Sequence, residues 1–168
     1  MLEYRPSNED DVDDICKMRW ADSTRLQLRD ARQYSRENCR RWINEMGGSS
    51  ERLSVFLNKK FIGLIRLDNI DDINNNCCVG LDLAENERGK GLAKQIYKKI
   101  IDELFFQRGM ECIWLEVLET NTIAIALYKG LGFHIDGVLR NRIFRNNKYI
   151  ACLSMSILRN EWEEKQLS

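Results

Sequence analysis

The chain has 168 residues, with 26 acidic and 26 basic side chains and a single histidine. That length suits one domain, 1–168, with a continuous core. Balanced charge gives no general field toward nucleic acid or an anionic membrane, and no apolar run is long enough to span a bilayer. The opening Met1-Leu2-Glu3-Tyr4-Arg5-Pro6 lacks the apolar core of a signal peptide, so a cytoplasmic, reducing location is expected.

A short strand is predicted at Leu2–Arg5, followed by a helix from Asp10 to Ala21 carrying Val12, Ile15, Cys16 and Arg19 at helical spacing. A second helix is predicted over Ser35–Met46, with Ser35 as N-cap and Gly47-Gly48 as its stop. The Arg- and Gln-rich link between these helices reads as solvated. Leu53–Leu57 and Phe61–Asn69 form a hairpin turning at Asn58-Lys59-Lys60, and the polar run Asp71–Asn76 is a surface turn.

Cys77–Leu83 is the next strand, with Val79, Leu81 and Leu83 on one face and Cys78, Gly80 and Asp82 on the other. It runs into Glu87-Arg88-Gly89-Lys90-Gly91-Leu92-Ala93, a glycine turn that opens a strongly amphipathic helix. Leu92, Ile96, Ile100 and Leu104 form one apolar row of that helix; Ala93, Tyr97, Ile101 and Phe105 form the next. Gly109 ends it. The strand Cys112–Val117 follows, giving a strand–helix–strand unit whose strands are parallel.

A third helix spans Thr122–Gly130, capped by Asn121, with Ala124, Leu127, Tyr128 and Leu131 on its buried face. Strands at Phe133–Arg140 and Tyr149–Leu158 turn through Asn146-Asn147-Lys148, and a polar tail ends the chain.

The glycine turn is an anion site by construction, because a helix N-terminus leaves backbone N–H groups without carbonyl partners. Arg88 and Lys90 reinforce its positive field. It is not a P-loop, since Lys90 precedes Gly91 and no hydroxyl follows. The dinucleotide fingerprint fits in part: Gly89 and Gly91 are present, Lys94 occupies the third glycine's place, and Glu111 stands where the acidic residue falls.

The six cysteines, Cys16, Cys39, Cys77, Cys78, Cys112 and Cys152, show no Cys-x-x-Cys spacing, and His134 has no second histidine to join it. They read as reduced, buried thiols, with no metal site. His134 reads as structural or solvent-facing.

Arg88-Gly89-Lys90-Gly91-Leu92-Ala93 resembles the Gln/Arg-x-x-Gly-x-Gly/Ala signature of the GCN5-related N-acetyltransferases, the GNAT superfamily. Asn121–Phe133 is similar to that family's Asn-x-x-Ala-x-x-Leu-Tyr-x-x-x-Gly-Phe segment. The pair, in order and at this separation, is far more specific than either part. The segments Gly137–Arg140, Asn147–Ile150, Met155–Leu158 and Glu161-Trp162 are similar to a branch holding ribosomal-protein N-terminal, spermidine-type and pseudaminic-pathway amino-sugar acetyltransferases.

The resemblance implies an α/β (α+β) fold: a mixed sheet of six to seven strands with a splayed parallel pair, flanked by about four helices. It implies acetyl-CoA as cosubstrate, with pyrophosphate on Arg88, Gly89, Lys90, Gly91, Leu92 and Ala93. The pantetheine arm would pair with backbone near Leu81, Asp82 and Leu83, and Asn121 and Tyr128 would lie at the cofactor. Tyr128 would protonate the departing thiolate, and Glu116 or Asp82 would take the amine's proton, directly or through water. Each position also has a plainer reading: Asn121 as a helix cap, Tyr128 as a packed aromatic, the carboxylates as polar strand positions. Two departures stand out. Gly130 replaces a bulkier residue, and Cys77-Cys78 replaces a Glu often found at the strand's start.

The expected activity is acetyl transfer to the primary amine of a small molecule, such as a nucleotide-linked amino sugar, by a monomer or homodimer. Arg140, Arg142 and Arg145 either meet an acidic acceptor or form a solvated strand face. The alternatives are a protein N-terminal acetyltransferase of the ribosomal type, a non-catalytic acyl-CoA-binding module, and a nicotinamide enzyme built on the glycine turn.

Overall fold

Seven strands and six helices form among the residues described by the computed structural model, which are 1–28, 33, 35–44 and 48–167. The strands form one mixed sheet in the order β1-β2-β3-β4-β5-β7-β6. The chain groups into two compact units, Met1–Ile70 with Val79–Tyr97, and Asp71–Cys78 with Lys98–Ser168. Strand β4 (Asn76–Leu83) and helix α4 (Leu92–Asp102) each contribute residues to both.

In the first unit β1 (Leu2–Pro6), β2 (Glu51–Leu57) and β3 (Lys60–Asp71) run antiparallel. The β2–β3 turn is tighter than predicted. Asn58 and Lys59 alone make it, at φ of 51° and 68°, and Lys60 already pairs with Leu57. Left-handed backbone at both central residues matches the twist of the flanking strands.

Helix α1 (Val12–Trp20) follows a single 3-10 turn, Glu9–Asp11, in which Asn8 and Asp11 cap each other's backbone N–H groups. Asp11 is buried and accepts both guanidinium nitrogens of Arg5 at 2.7 and 2.9 Å and the Ser54 hydroxyl at 2.8 Å. Burial pushes this carboxyl up, but the Arg5, Asn8 and Ser54 donors outweigh it and hold it below the ordinary range.

The predicted solvated link begins instead with a one-turn helix, α2 (Asp22–Arg25), in which Thr24 is buried. Helix α3 (Arg36–Asn44) carries the expected cap, with Ser35 Oγ accepting the Asn38 N–H at 3.1 Å. Its predicted end at Met46-Gly47 lies outside the described residues. Val12, Ile15, Cys16 and Met18 of α1 meet Cys39 and Ile43 of α3 and Leu64 of β3 in the core. All six cysteines are free thiols, and burial pushes Cys16, beside Cys39, up to about 12.

In the second unit the parallel ladder of β4 with β5 (Cys112–Leu118) holds three positions, Asn76↔Cys112, Cys77↔Ile113 and Cys78↔Trp114. Beyond Cys78, β4 belongs to the other unit. Strand β5 pairs antiparallel with β7 (Lys148–Leu158), and β7 with β6 (His134–Arg145). Strand β6 extends past its predicted end at Arg140, because a register shift around Asn141, at φ 52°, lets pairing resume at Ile143.

Helix α4 buries both predicted rows from Leu92 to Phe105, except Ala93, which is half-buried. It ends in a π turn, Glu103–Gln107, before Gly109 at φ 71°. Helix α5 (Thr122–Leu131) keeps only Leu131 fully buried; Ala124, Leu127 and Tyr128 stay half-exposed.

The predicted polar tail is a helix, α6 (Arg159–Leu167). One residue anchors it: Trp162 is 1% exposed and donates its indole N–H to Asp102 at 2.7 Å. With Trp162 and the exposed Leu167 as its large apolar side chains, five positions apart, the segment has no helical periodicity to betray it. Trp162→Phe is expected to cost about 1.5–3 kcal/mol, the worth of a hydrogen bond to a charged group. Thermal unfolding checks this, since a variant melting with the parent would mean that the indole N–H contributes nothing.

Candidate active site

Strand β4 ends at Leu83, and one 3-10 turn, Glu85–Glu87, leads to Arg88 in extended backbone. Gly89 and Gly91 follow at φ of 72° and 74°, a region that costs other L-residues roughly 1–2 kcal/mol. A Cβ built on either glycine meets nothing within 4 Å. The turn is therefore an open cradle at the N-terminus of α4, where the first N–H groups have no helical carbonyl to bond. That donor set fits a diphosphate.

Both basic side chains of the turn have protein partners. The Arg88 guanidinium donates twice to Leu83 O, at 3.0 and 2.9 Å, to Ser23 O at 2.9 Å, and to Thr24 Oγ1. Lys90 donates to Glu87 at 3.0 Å while staying exposed, and Lys60 donates to the same carboxylate at 2.8 Å. These ammonium donors hold the Glu87 carboxyl below its ordinary range. Arg88 therefore ties α2 to the end of β4, and an anion at the turn meets backbone N–H groups and the exposed Lys90. That tie also corrects one expectation: the Leu83 carbonyl, with both lone pairs engaged by Arg88, is not open to a pantetheine arm.

Gly91→Val is expected to weaken acetyl-CoA binding at least tenfold, because the added methyls project into the cradle and strain the turn. Calorimetric titration with CoA, alongside thermal melts, tests this. Unchanged affinity would remove the turn from the cofactor site.

Asp82 is buried too, on the strand face opposite Val79 and Leu83. Arg19 of α1 donates to its Oδ2 at 3.0 Å and Arg66 of β3 to its Oδ1 at 3.2 Å. Arg66 lies flat over Gly80, where a Cβ would come within 2.5 Å of Nη2. Burial opposes the charge on Arg66, but Asp82 and Asp68 outweigh it and raise its pKa. Both carboxylate oxygens of Asp82 are thus engaged by guanidiniums.

Around this pair sit residues that the sequence reading passes over. The Trp42 ring lies between the guanidiniums of Arg19 and Arg52, each 4.4 Å from its centroid. Arg52 is buried and bonds Asp68 at 2.6 Å. Burial pulls its pKa down despite Asp68, and Arg66 and Arg19 push the same way. The available signal was Gly80, since a glycine inside a strand marks a close approach.

In the second unit Glu116 shares a face of β5 with Trp114, whose indole donates to Asn76 at 3.1 Å. The Glu116 side chain is 10% exposed and its Oε1 lies 3.4 Å from Arg142. Asn121 caps α5, its Oδ1 accepting the Ala124 N–H at 3.2 Å. Tyr128 stands half-exposed on α5, its ring 5.8 Å from that of Phe133. Arg142 therefore has a protein partner, and it and Arg140 are mostly solvated or half-solvated strand positions. His134 is 72% exposed, 3.7 Å from Glu161. Among the described residues no group of three or more His, Cys, Asp or Glu is arranged to hold a metal, and no helix is long and apolar enough to cross a membrane.

Comparison with known proteins agrees with this arrangement. The family model described as "Acetyltransferase (GNAT) family" matches residues 12–133. An uncharacterized N-acetyltransferase, p20, of Bacillus licheniformis is 30% identical over 124 residues, covering 71% of this chain and 70% of that protein. A spermidine N(1)-acetyltransferase of Vibrio cholerae is 30% identical over 104 residues, 62% of this chain and 60% of that enzyme. The crystal structure of spermidine N-acetyltransferase from Vibrio cholerae with CoA and spermine superposes with a TM-score of 0.90 at 24% identity, covering 96% of this chain and 98% of that one, and shows the same fold. With the matched signature turn, the Asn121–Phe133 segment and the mixed sheet, the chain belongs to the acetyltransferase (GNAT) family, enzymes that take their acetyl group from acetyl-CoA.

Proposed function

We propose that this protein transfers the acetyl group of acetyl-CoA directly to the primary amine of a small molecule. The observation that carries this reading is the open turn at Gly89 and Gly91, both at positive φ with space around them, at the start of α4. Backbone from Arg88 to Ala93 would hold the pyrophosphate, and Leu81 and Asp82 the pantetheine arm. The amine nitrogen forms a bond to the acetyl carbon as the carbon–sulfur bond breaks. Glu116 takes the amine's proton through water, and Tyr128 protonates the thiolate as it leaves. Glu116 is the better base of the two carboxylates, because Asp82 is committed to Arg19 and Arg66. Asn121 caps α5 and serves the cofactor from that position.

The acceptor has competing candidates. Relatives named as spermidine acetyltransferases make a polyamine one of them. A nucleotide-linked amino sugar and a protein N-terminus are others. Thiol release from acetyl-CoA, followed across amines of each class, tests the reading. Turnover with a small amine supports it. Tight CoA binding with no turnover on any amine would make the protein an acyl-CoA-binding module instead.

A further inference from the structure

Lys60 opens β3 directly after the left-handed pair Asn58-Lys59, and two backbone features bring it beside the glycine turn. Ala84 donates its N–H to Ile62 O at 2.9 Å, which lays the start of β3 against the chain leaving β4. Gly63 permits the approach, since a Cβ there would come within 2.5 Å of Asp82 O. Lys60 then meets Glu87, three residues past Ala84, and donates to its Oε1 at 2.8 Å. Lys90, between the two glycines of the turn, donates to Oε2 of the same carboxylate at 3.0 Å. All of these residues belong to the first unit.

The anchor and the cations differ in what they show to solvent. The Glu87 side chain is 7% exposed, while those of Lys60 and Lys90 keep 64% and 55%. Two long side chains from separate elements are thus gathered at one carboxylate, at the edge of the turn, with much of their length in water. An ammonium has three donor hydrogens, and each lysine gives one bond to Glu87. Ion pairs of exposed lysines are weak, so the same ammoniums can serve a more highly charged oxyanion. Arg88 is the contrast, with its donors committed to Leu83, Ser23 and Thr24.

The acetyl donor carries such an oxyanion. Besides its diphosphate, acetyl-CoA has a monophosphate on the 3′ oxygen of the adenosine ribose, with a charge of about −1.5 to −2 at pH 7 like other phosphate monoesters. The ribose alone separates the two groups, so a diphosphate seated on the turn keeps the monophosphate close by. We propose that Lys60 and Lys90, gathered by Glu87, bind the 3′-phosphate and make it a determinant of cofactor affinity. The inference rests on the proposed acetyl transfer, which sets the diphosphate on the backbone of Arg88–Ala93. It brings the β2–β3 hairpin into the cofactor site.

The test uses the full chain and measures binding of CoA and of 3′-dephospho-CoA by calorimetry. CoA is expected to bind about tenfold more tightly, the scale of a hydrogen bond to a charged group. Lys60→Gln and Lys90→Gln should each narrow that gap, lowering affinity for CoA while affinity for 3′-dephospho-CoA stays unchanged. Raised salt should narrow it as well. Equal affinity of the parent protein for the two ligands would overturn the proposal without any variant. So would a gap that Lys60→Gln leaves intact, which puts the phosphate elsewhere, or an equal loss of both ligands, which makes the lysine a structural tie alone. A chain that binds neither ligand would instead sink the proposed function.

Discussion

Tyr128→Phe is expected to lower kcat by about 10²–10⁴-fold, the usual worth of a positioned general acid, with acetyl-CoA affinity nearly unchanged. The structure makes this a clean substitution. The Tyr128 ring packs on Phe133 at 5.8 Å, and phenylalanine keeps that contact. The backbone carbonyl of Tyr128 accepts the N–H groups of Gly132 and Phe133 at 3.1 and 3.0 Å, so the end of α5 does not depend on the hydroxyl. Single-turnover thiol release isolates the chemical step, and an unaltered rate there would remove Tyr128 as the acid. A thioester with a better leaving group should narrow the difference, because a weaker base needs less help from an acid.

Asp82→Asn is expected to be chiefly a stability mutation. It leaves Arg19 and Arg66 facing a neutral amide, beside Arg52, with Asp68 as the remaining carboxylate. Breaking a buried pair by removing one partner costs about 3–5 kcal/mol, which for a chain of this size lowers Tm by roughly 6–20 °C. Activity measured well below the new Tm should survive in part. If Asp82 were the general base, the outcome would reverse: a near-normal Tm with kcat reduced by orders of magnitude. Glu116→Gln is the companion variant, in which the loss should fall on kcat.

Much of this molecule is legible in short stretches of sequence. The apolar rows of α4, the Ser35 and Asn121 caps and the glycine turn all follow from contacts within a few residues, and all appear where local chemistry places them. The two Asn-containing hairpin turns are also local, because Asn tolerates left-handed backbone. Helix α6 was hidden for the opposite reason. Its one determinant is a hydrogen bond from Trp162 to Asp102, sixty positions away in the chain.

The site divides along the same line. That the turn is an anion site follows from two glycines and a helix start, since backbone N–H groups at a helix N-terminus need no distant partner; that the anion belongs to acetyl-CoA comes from the family resemblance. The roles of charged side chains do not follow that way, because charge acts through space and its partners lie on other elements. Arg88, which in the linear motif only reinforces the positive field of the turn, is a tie to Ser23, Thr24 and Leu83. Asp82, apparently a candidate base, is the counter-ion of Arg19 and Arg66, residues 63 and 16 positions away. The sequence by itself, through its two family segments, pointed to the acetyl donor and the fold that holds it; tertiary structure alone decided that Asp82 is held between Arg19 and Arg66 and that Arg88 is tied to Ser23, Thr24 and Leu83, because charges choose partners through space.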